Sequence, residues 1–306
     1  MEINHENFDF IELTEAQTRQ YIDASASWRA LEAAKASVTE VRGSMMWRTQ
    51  AGHRYLIRVA ASGGQTSLGP HSPEREQIYE RFVARKAALE SRQKQLRQTV
   101  AQHTRVNRAL RVGRVPNVVV DTLNALATAG LQEHFLTVGT HALYAYETAC
   151  GVRVQTEATA TQDIDLLLDT RKYVRFATTM QRLDTSLLGI FQKADKTFML
   201  RDDQKYTAVN ASGFEIDVIR RAVEVPSGQA LLDGGRFSQV VVATNGAMAT
   251  MHAPLPASFV RIKTSLSQRH DRDPLKRRKD QLQAKVVEQL LTDHGLDHVV
   301  RSKGGL

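Results

Sequence analysis

The sequence predicts an α+β fold preceded by an extension made of a β-hairpin and a long basic helix. Three observations predict it. After residue 116 the chain reads helix, strand, helix and then several short strands. Two β-prone runs flank Gly52, and the stretch from Arg81 to Arg114 is rich in charge but poor in apolar positions. With 306 residues the chain exceeds the usual single-domain length, so more than one unit is expected. The expected divisions are an extension over 1–115, a second domain over 116–280, and a C-terminal helix and tail over 281–306.

Taken in order, EAQTRQYIDASASWRALEAAKASV is alanine-rich and helix-forming, with a thin apolar stripe. GSMMWRTQ and HRYLIRVAA read as a hairpin around Gly52, and SGGQTSLGPHSP as the loop after it. Ser72, Pro73 and Glu74 form a helix start: a side-chain acceptor at the cap, proline in the first turn and an acid at the positive end of the dipole. From Arg81 to Arg114 ten Lys/Arg stand against one acid, Glu90, so this helix is expected to face solvent or nucleic acid. Gly113 and Pro116 end it.

Beyond that break, VVVDTLNALATAGL reads as an amphipathic helix closed by Gly130, FLTVG as a buried strand and THALYAYETAC as a helix. The strand DIDLLLD, a helix around VRFATTMQRLDTSLLG, and β-prone runs at KTFMLR, YTAVNAS and FEIDVIR follow. The last part holds the strand QVVVATNG, the proline-bounded MHAPLPASF, the helix FVRIKTSLSQ and the basic stretch RRKDQLQAKVVEQLL.

A formal charge of +8 suggests an anionic partner, either nucleic acid or a phosphorylated small molecule. The single Cys150 excludes an internal disulfide and thiolate metal clusters, so a reducing cytoplasmic setting is expected. No run of 18 apolar residues exists and MEINHENFDF does not read as a secretory signal, so no membrane partner is expected. GQTSLG lacks the lysine and following helix of a phosphate-binding P-loop.

Three segments carry the candidate chemistry: VGTHALYAYE at 138–147, TQDIDLLLDT at 161–170 and GFEIDVIR at 213–220. In a strand Asp163 and Asp165 share one face, about 6.5–7 Å apart at Cα, where two carboxylates repel unless a cation lies between them or one is protonated. Asp217 projects from a second strand toward that pair. A triad of hard oxygen ligands suits Mg²⁺ or Mn²⁺ rather than zinc. A strand that ends at Gly139 and turns into a helix at Thr140 leaves free backbone N–H groups that suit a phosphate, with the Thr140 hydroxyl beside them. Taken alone, DID reads more readily as a solvated edge; the glycine turn before it and the acid-bearing strand after it reverse that reading. Asp169 and Glu215 are expected to be flanking acids, His141 structural, and Tyr144 and Tyr146 packing residues. HDRD, with His270, Asp271 and Asp273, has no convergent partners.

These segments resemble the nucleotidyltransferase superfamily that includes DNA polymerase β: a hydrophobic residue followed by glycine and a small residue, then a D-x-D strand, then a single acid on a later strand. The resemblance covers about residues 117–280 and implies a mixed sheet flanked by helices. It implies Gly139 and Thr140 as the phosphate-holding pair, Asp163 and Asp165 as metal ligands, Asp217 as the third carboxylate, and Lys263 as a basic residue facing the triphosphate. Thr140 stands where serine or glycine is usual, and the 24 positions from Gly139 to Asp163 require ACGVRVQTEATA to loop out. Over the whole chain, the sequence also resembles bacterial nucleotidyltransferase-fold proteins with such an extension. The implied activity is transfer of a nucleoside monophosphate from ATP or another NTP to an acceptor hydroxyl, with RNA or tRNA favoured and bound by the Arg81–Arg114 helix. The alternative is a nucleic-acid-binding, toxin–antitoxin or defence module on an inactive core. Phe82, Leu89 and Leu96, at sevenfold spacing, suit a homodimer contact instead.

Overall fold

The computed structural model describes residues 10–154, 159, 161–204, 206–219 and 226–304. The chain forms two compact units, one of Gln20–Val106 and one of Asn107–Leu306 together with Met1–Arg19. It begins with β1 (Phe10–Glu12) and α1 (Glu15–Glu40), which buries Ala24, Ser25, Trp28, Leu31 and Ala34 at helical spacing.

In the unit Gln20–Val106, β2 (Ser44–Gln50) and β3 (His53–Val59) pair antiparallel from Ser44↔Val59 to Gln50↔His53. Ala51 (φ 48°) and Gly52 (φ 79°) make the two-residue left-handed turn that matches the twist of a hairpin. SGGQTSLGPHSP, expected as a loop, contributes a third strand, β4 (Gln65–Pro70), along the free edge of β3. A register shift at Leu56/Ile57 absorbs the irregularity, and the pairing satisfies backbone groups that a loop would leave to water. Next comes α2 (Pro73–Ala109), 37 residues long, with Ser72 Oγ accepting from the Arg75 amide at 3.3 Å. Arg85 pairs with Glu40 at 3.0 Å, Lys86 Nζ donates to the Gly43 carbonyl at 2.6 Å, and Gln20 meets the His103 ring at 3.1 Å.

The other unit runs through α3 (Asn117–Thr128), β5 (Phe135–Val138), a 3₁₀ turn at Gly139–His141 and α4 (Ala142–Cys150). β6 (Val152–Val154), β7 (Asp163–Leu168), α5 (Tyr173–Leu183), α6 (Leu187–Phe191), β8 (Met199–Leu200), β9 (Thr207–Val209) and β10 (Glu215–Ile219) follow. The chain closes with α7 (Pro226–Asp233), β11 (Arg236–Val242), β12 (Met248–Pro254), α8 (Pro256–Ser267), α9 (Pro274–Asp293) and α10 (Leu296–Gly304). The central sheet has the order β5-β7-β10-β9-β8; β7 and β10 run parallel and every other pair is antiparallel. This is the mixed sheet flanked by helices of an α+β fold. Ile164, Leu166, Ile216 and Val218 face the main core, which leaves the aspartates of both strands on the opposite face.

Two further stretches differ from expectation. Part of ACGVRVQTEATA is a strand: Gly151 (φ 69°) reverses the chain after α4, and β6 buries Val152 and Val154 while pairing with β1. Residues 155–158 and 160 of that stretch lie outside the described residues. MHAPLPASF holds most of β12, which pairs with β11 along its whole length, and its prolines mark the strand end at Pro254 and the first turn of α8 at Pro256. Among the described residues no helix is long and apolar enough to cross a membrane.

Gly113, the break after α2, packs so closely on β11 that a Cβ there would lie 2.1 Å from the Val242 carbonyl oxygen. Gly113→Ala is therefore expected to lower the unfolding free energy by about 1–3 kcal/mol, the usual cost of overpacking. Urea unfolding measures it, and an unchanged midpoint would mean that the segment shifts without cost.

Candidate active site

Parallel pairing of β7 and β10 sets Asp217 directly beside Asp165, and Glu215 beside Asp163. Strand alternation keeps Asp163, Asp165 and Asp217 on one face. One carboxylate oxygen from each of the three lies within 4.8 Å of the others. On the far side of β7, Val138 pairs with Asp165, and the chain leaves the sheet at the next residue, Gly139, with φ 65°. A Cβ at Gly139 would fall 2.1 Å from Asp165 Oδ2, so glycine is required both by the left-handed backbone and by the carboxylate beside it. The three segments predicted to form the site thus meet at its centre.

Each acid is held by its surroundings. Thr207 Oγ1 on β9 donates to Asp217 at 2.5 Å, and Thr161 Oγ1 donates to Asp163. Burial pushes the Asp165 carboxyl up to about 7, with Asp163 and Asp217 adding to the rise and Lys263 and Lys279 opposing it. An all-oxygen donor set in which Asp165 resists losing its proton fits a hard divalent cation, which would offset the repulsion.

Thr140 is buried at the head of the turn, where its Oγ1 accepts from Gln283 Nε2 of α9 at 3.0 Å and keeps its own O–H to donate. His141 is buried against the rings of Tyr144 and Phe214, and burial pushes its pKa down to about 4, so it is neutral near pH 7. Lys263 on α8 lines the same cleft as Gly139 and Asp165. Its Nζ donates to Asp280 Oδ1 at 2.7 Å, and Arg272 Nε donates to Asp280 Oδ2 at 2.5 Å. Burial lowers the Lys263 pKa, while Asp280 and Asp165 oppose that shift.

The remaining acids and rings of these segments are engaged elsewhere. Asp169 accepts from the Arg171 guanidinium at 2.8 and 3.0 Å, and Glu215 pairs with Arg201 at 2.8 Å. Tyr146 is fully buried with its hydroxyl on the Pro254 carbonyl at 2.8 Å, and Tyr144 lies under the Arg114 guanidinium. In HDRD, Asp271 pairs with Arg269, and Asp273 caps α9 by accepting from the amides of Leu275 and Lys276. Sequence reasoning missed Thr207, Asp280 and Gln283. Asp280 and Gln283 did leave a signal, since they are polar residues three apart on the stripe that Val287 and Leu290 continue into the core.

The Asp165 pKa lies above its unfolded value of about 3.9, so between about pH 4 and 7 the metal-free folded state holds a proton that the unfolded chain releases. That contribution to stability is complete below the unfolded pKa and is lost as pH rises through 7. In EDTA, the Tm of the wild type is expected to fall relative to Asp165→Asn between pH 5 and pH 8, and Mg²⁺ should raise it more at pH 8. Parallel pH profiles of the two proteins would contradict this.

The sequence model of a protein family described as nucleotidyltransferase matches residues 117–227 and 220–302, which together make up more than half of the chain. No curated protein and no solved structure matches it.

Proposed function

Because the chain belongs to the nucleotidyltransferase family, we propose that it transfers a nucleoside monophosphate from an NTP to a hydroxyl of an RNA acceptor. A bond forms between the acceptor oxygen and the α-phosphorus, the α–β phosphoanhydride breaks, and pyrophosphate leaves. The observation that carries this reading is the convergence of Asp163, Asp165 and Asp217 beside the Gly139 turn. Mg²⁺ or Mn²⁺ held there would supply a lowered pKa for the attacking hydroxyl and neutralise charge on the pyrophosphate.

The chain's own residues divide the remaining work. Asp163 and Asp165 are the metal ligands, and Asp217, oriented by Thr207, is the ligand on the acceptor side. Gly139 lets the backbone come close to the phosphates, and free N–H groups at the start of the turn bind them. The Thr140 hydroxyl, fixed by Gln283, donates to a phosphate oxygen, and Lys263 offsets the negative charge that the donor brings.

RNA is favoured as acceptor by the unit Gln20–Val106. Trp47 packs against His71 and Tyr79 with ring centroids 5.0 and 5.9 Å away, and the Arg54 guanidinium lies 5.0 Å from the Trp47 ring. Arg92, Lys94 and Arg97 are exposed on α2. Aromatic rings beside cations suit the bases and backbone of a single strand.

The test is incubation with each labelled NTP, Mg²⁺ and total cellular RNA, resolved by size. Labelled RNA is the expected product. Asp163→Asn and Asp165→Asn should each cut the rate on the order of 10²–10³-fold, the scale of losing one electrostatic stabiliser of a transition state. Their folds should persist. Asp217→Asn should slow transfer more than it weakens NTP binding, and equal loss of both would contradict its acceptor-side role. RNA affinity should fall with salt at a log–log slope of roughly −0.7 per neutralised phosphate. Replacing Arg92, Lys94 and Arg97 with glutamine should flatten that slope while leaving NTP affinity unchanged. A triple variant that changes self-association and not RNA binding would make α2 an assembly arm.

A further inference from the structure

Strand alternation gives the sheet of β2, β3 and β4 two faces with different tasks. Trp47 reaches Tyr79 and the Arg58 guanidinium lies 4.4 Å from the Phe82 ring, so the face that also carries Arg54 and Leu56 is turned to α2. Its rings and cations engage one another. The register places Met46 and Arg48 of β2 on the opposite face, together with His53, Tyr55, Ile57 and Val59 of β3. Met46, Arg48 and His53 are exposed there, and Tyr55 and Val59 are half-buried.

Three properties of this outer face point to one kind of partner. Between Glu40 and Glu74 the sequence holds four arginines, two histidines and no acid, so the whole sheet is without negative charge and complements a polyanion. Arg48 Nη2 donates to Gln65 Oε1 of β4 at 2.6 Å, a bond that crosses β3 above Ile57 and holds the guanidinium over the face. The guanidinium keeps further N–H donors. His53 and Tyr55, two apart on β3, present rings about 6.5–7 Å apart at Cα on a face about 10 Å across. That width fits the bases of one strand, and side-chain rings stack on bases that are not paired.

We propose that the outer face of this sheet binds single-stranded RNA, with bases stacked on Tyr55 and His53 and the backbone held by Arg48. This rests on RNA being the acceptor; the transfer chemistry itself is not needed for the strand to bind. Stacking and phosphate contact are then separable, because Tyr55 supplies a ring without charge and Arg48 supplies the charge.

The experiment measures the anisotropy of a labelled RNA oligonucleotide of mixed sequence, single-stranded or annealed to its complement, with the full-length protein in EDTA and without NTP. The single strand is expected to bind more tightly than the duplex. Tyr55→Ala should weaken single-strand binding about 5–150-fold, the scale of one base–aromatic stack, and leave the salt slope unchanged, since stacking releases no counterions. Tyr55→Phe should keep the wild-type affinity. Arg48→Gln, at an exposed position, should make the salt slope shallower by about 0.7, and it gives an independent readout should Tyr55→Ala not fold. No binding of the single strand, equal binding of strand and duplex, or wild-type binding by both the Tyr55→Ala and Arg48→Gln proteins would overturn the proposal and leave the transferase reading standing. A strand that binds as expected but is labelled by no NTP with Mg²⁺ would keep the binding face and remove the transferase reading.

Discussion

The mutual repulsion of three carboxylates on one sheet face is the constraint to which the rest of this unit is fitted. Asp163, Asp165 and Asp217 are brought together by the parallel register of β7 and β10, and that register is fixed from the other face. Ile164, Leu166, Ile216 and Val218 are buried there, so a slip of one residue would turn the acids into the core and the apolar side chains out. Hydrophobic burial thus holds in place a cluster that electrostatics alone would disperse. Burial first, and then the neighbouring Asp163 and Asp217, push the Asp165 carboxyl up to about 7. A cation is the natural partner for such a cluster, because it turns the repulsion into coordination.

Helix α9 is the second element on which the site depends. From one stripe it supplies Gln283, which fixes the Thr140 hydroxyl, and Asp280, which holds Lys263 and Arg272. Asp280 and Gln283 are both buried, and the same stripe continues into the core through Val287 and Leu290. The helix therefore joins the turn, the cationic wall of the cleft and the core in one rigid piece. Burial pulls the Lys263 pKa down, and its ion pair with Asp280 opposes that fall.

The unit Gln20–Val106 has a different economy. Its three-stranded sheet is small, and α2 exposes most of its length, so its apolar contacts are few for the chain it orders. Part of its positive charge serves the unit itself: Arg58 donates to the Arg42 carbonyl, Arg85 pairs with Glu40 and Lys86 reaches Gly43. Further along α2, Arg92, Lys94 and Arg97 are exposed.

The sequence by itself determined most of the elements and which acids share a strand face. Alternation in DIDLLLD and FEIDVIR placed the acids on one face, and a glycine at the end of FLTVG marked the turn, because both are local consequences of backbone geometry. β4, β6 and β12 were not legible, since a strand with weak alternation is specified by the edge it pairs with and not by its own residues. Only the tertiary structure decided that Asp217 stands beside Asp165, that a Cβ at Gly139 would meet Asp165 Oδ2, and that Gln283 reaches Thr140 from a helix more than a hundred residues away. These are relations between segments distant in sequence, and strand register and helix packing fix them through burial that no single segment contains.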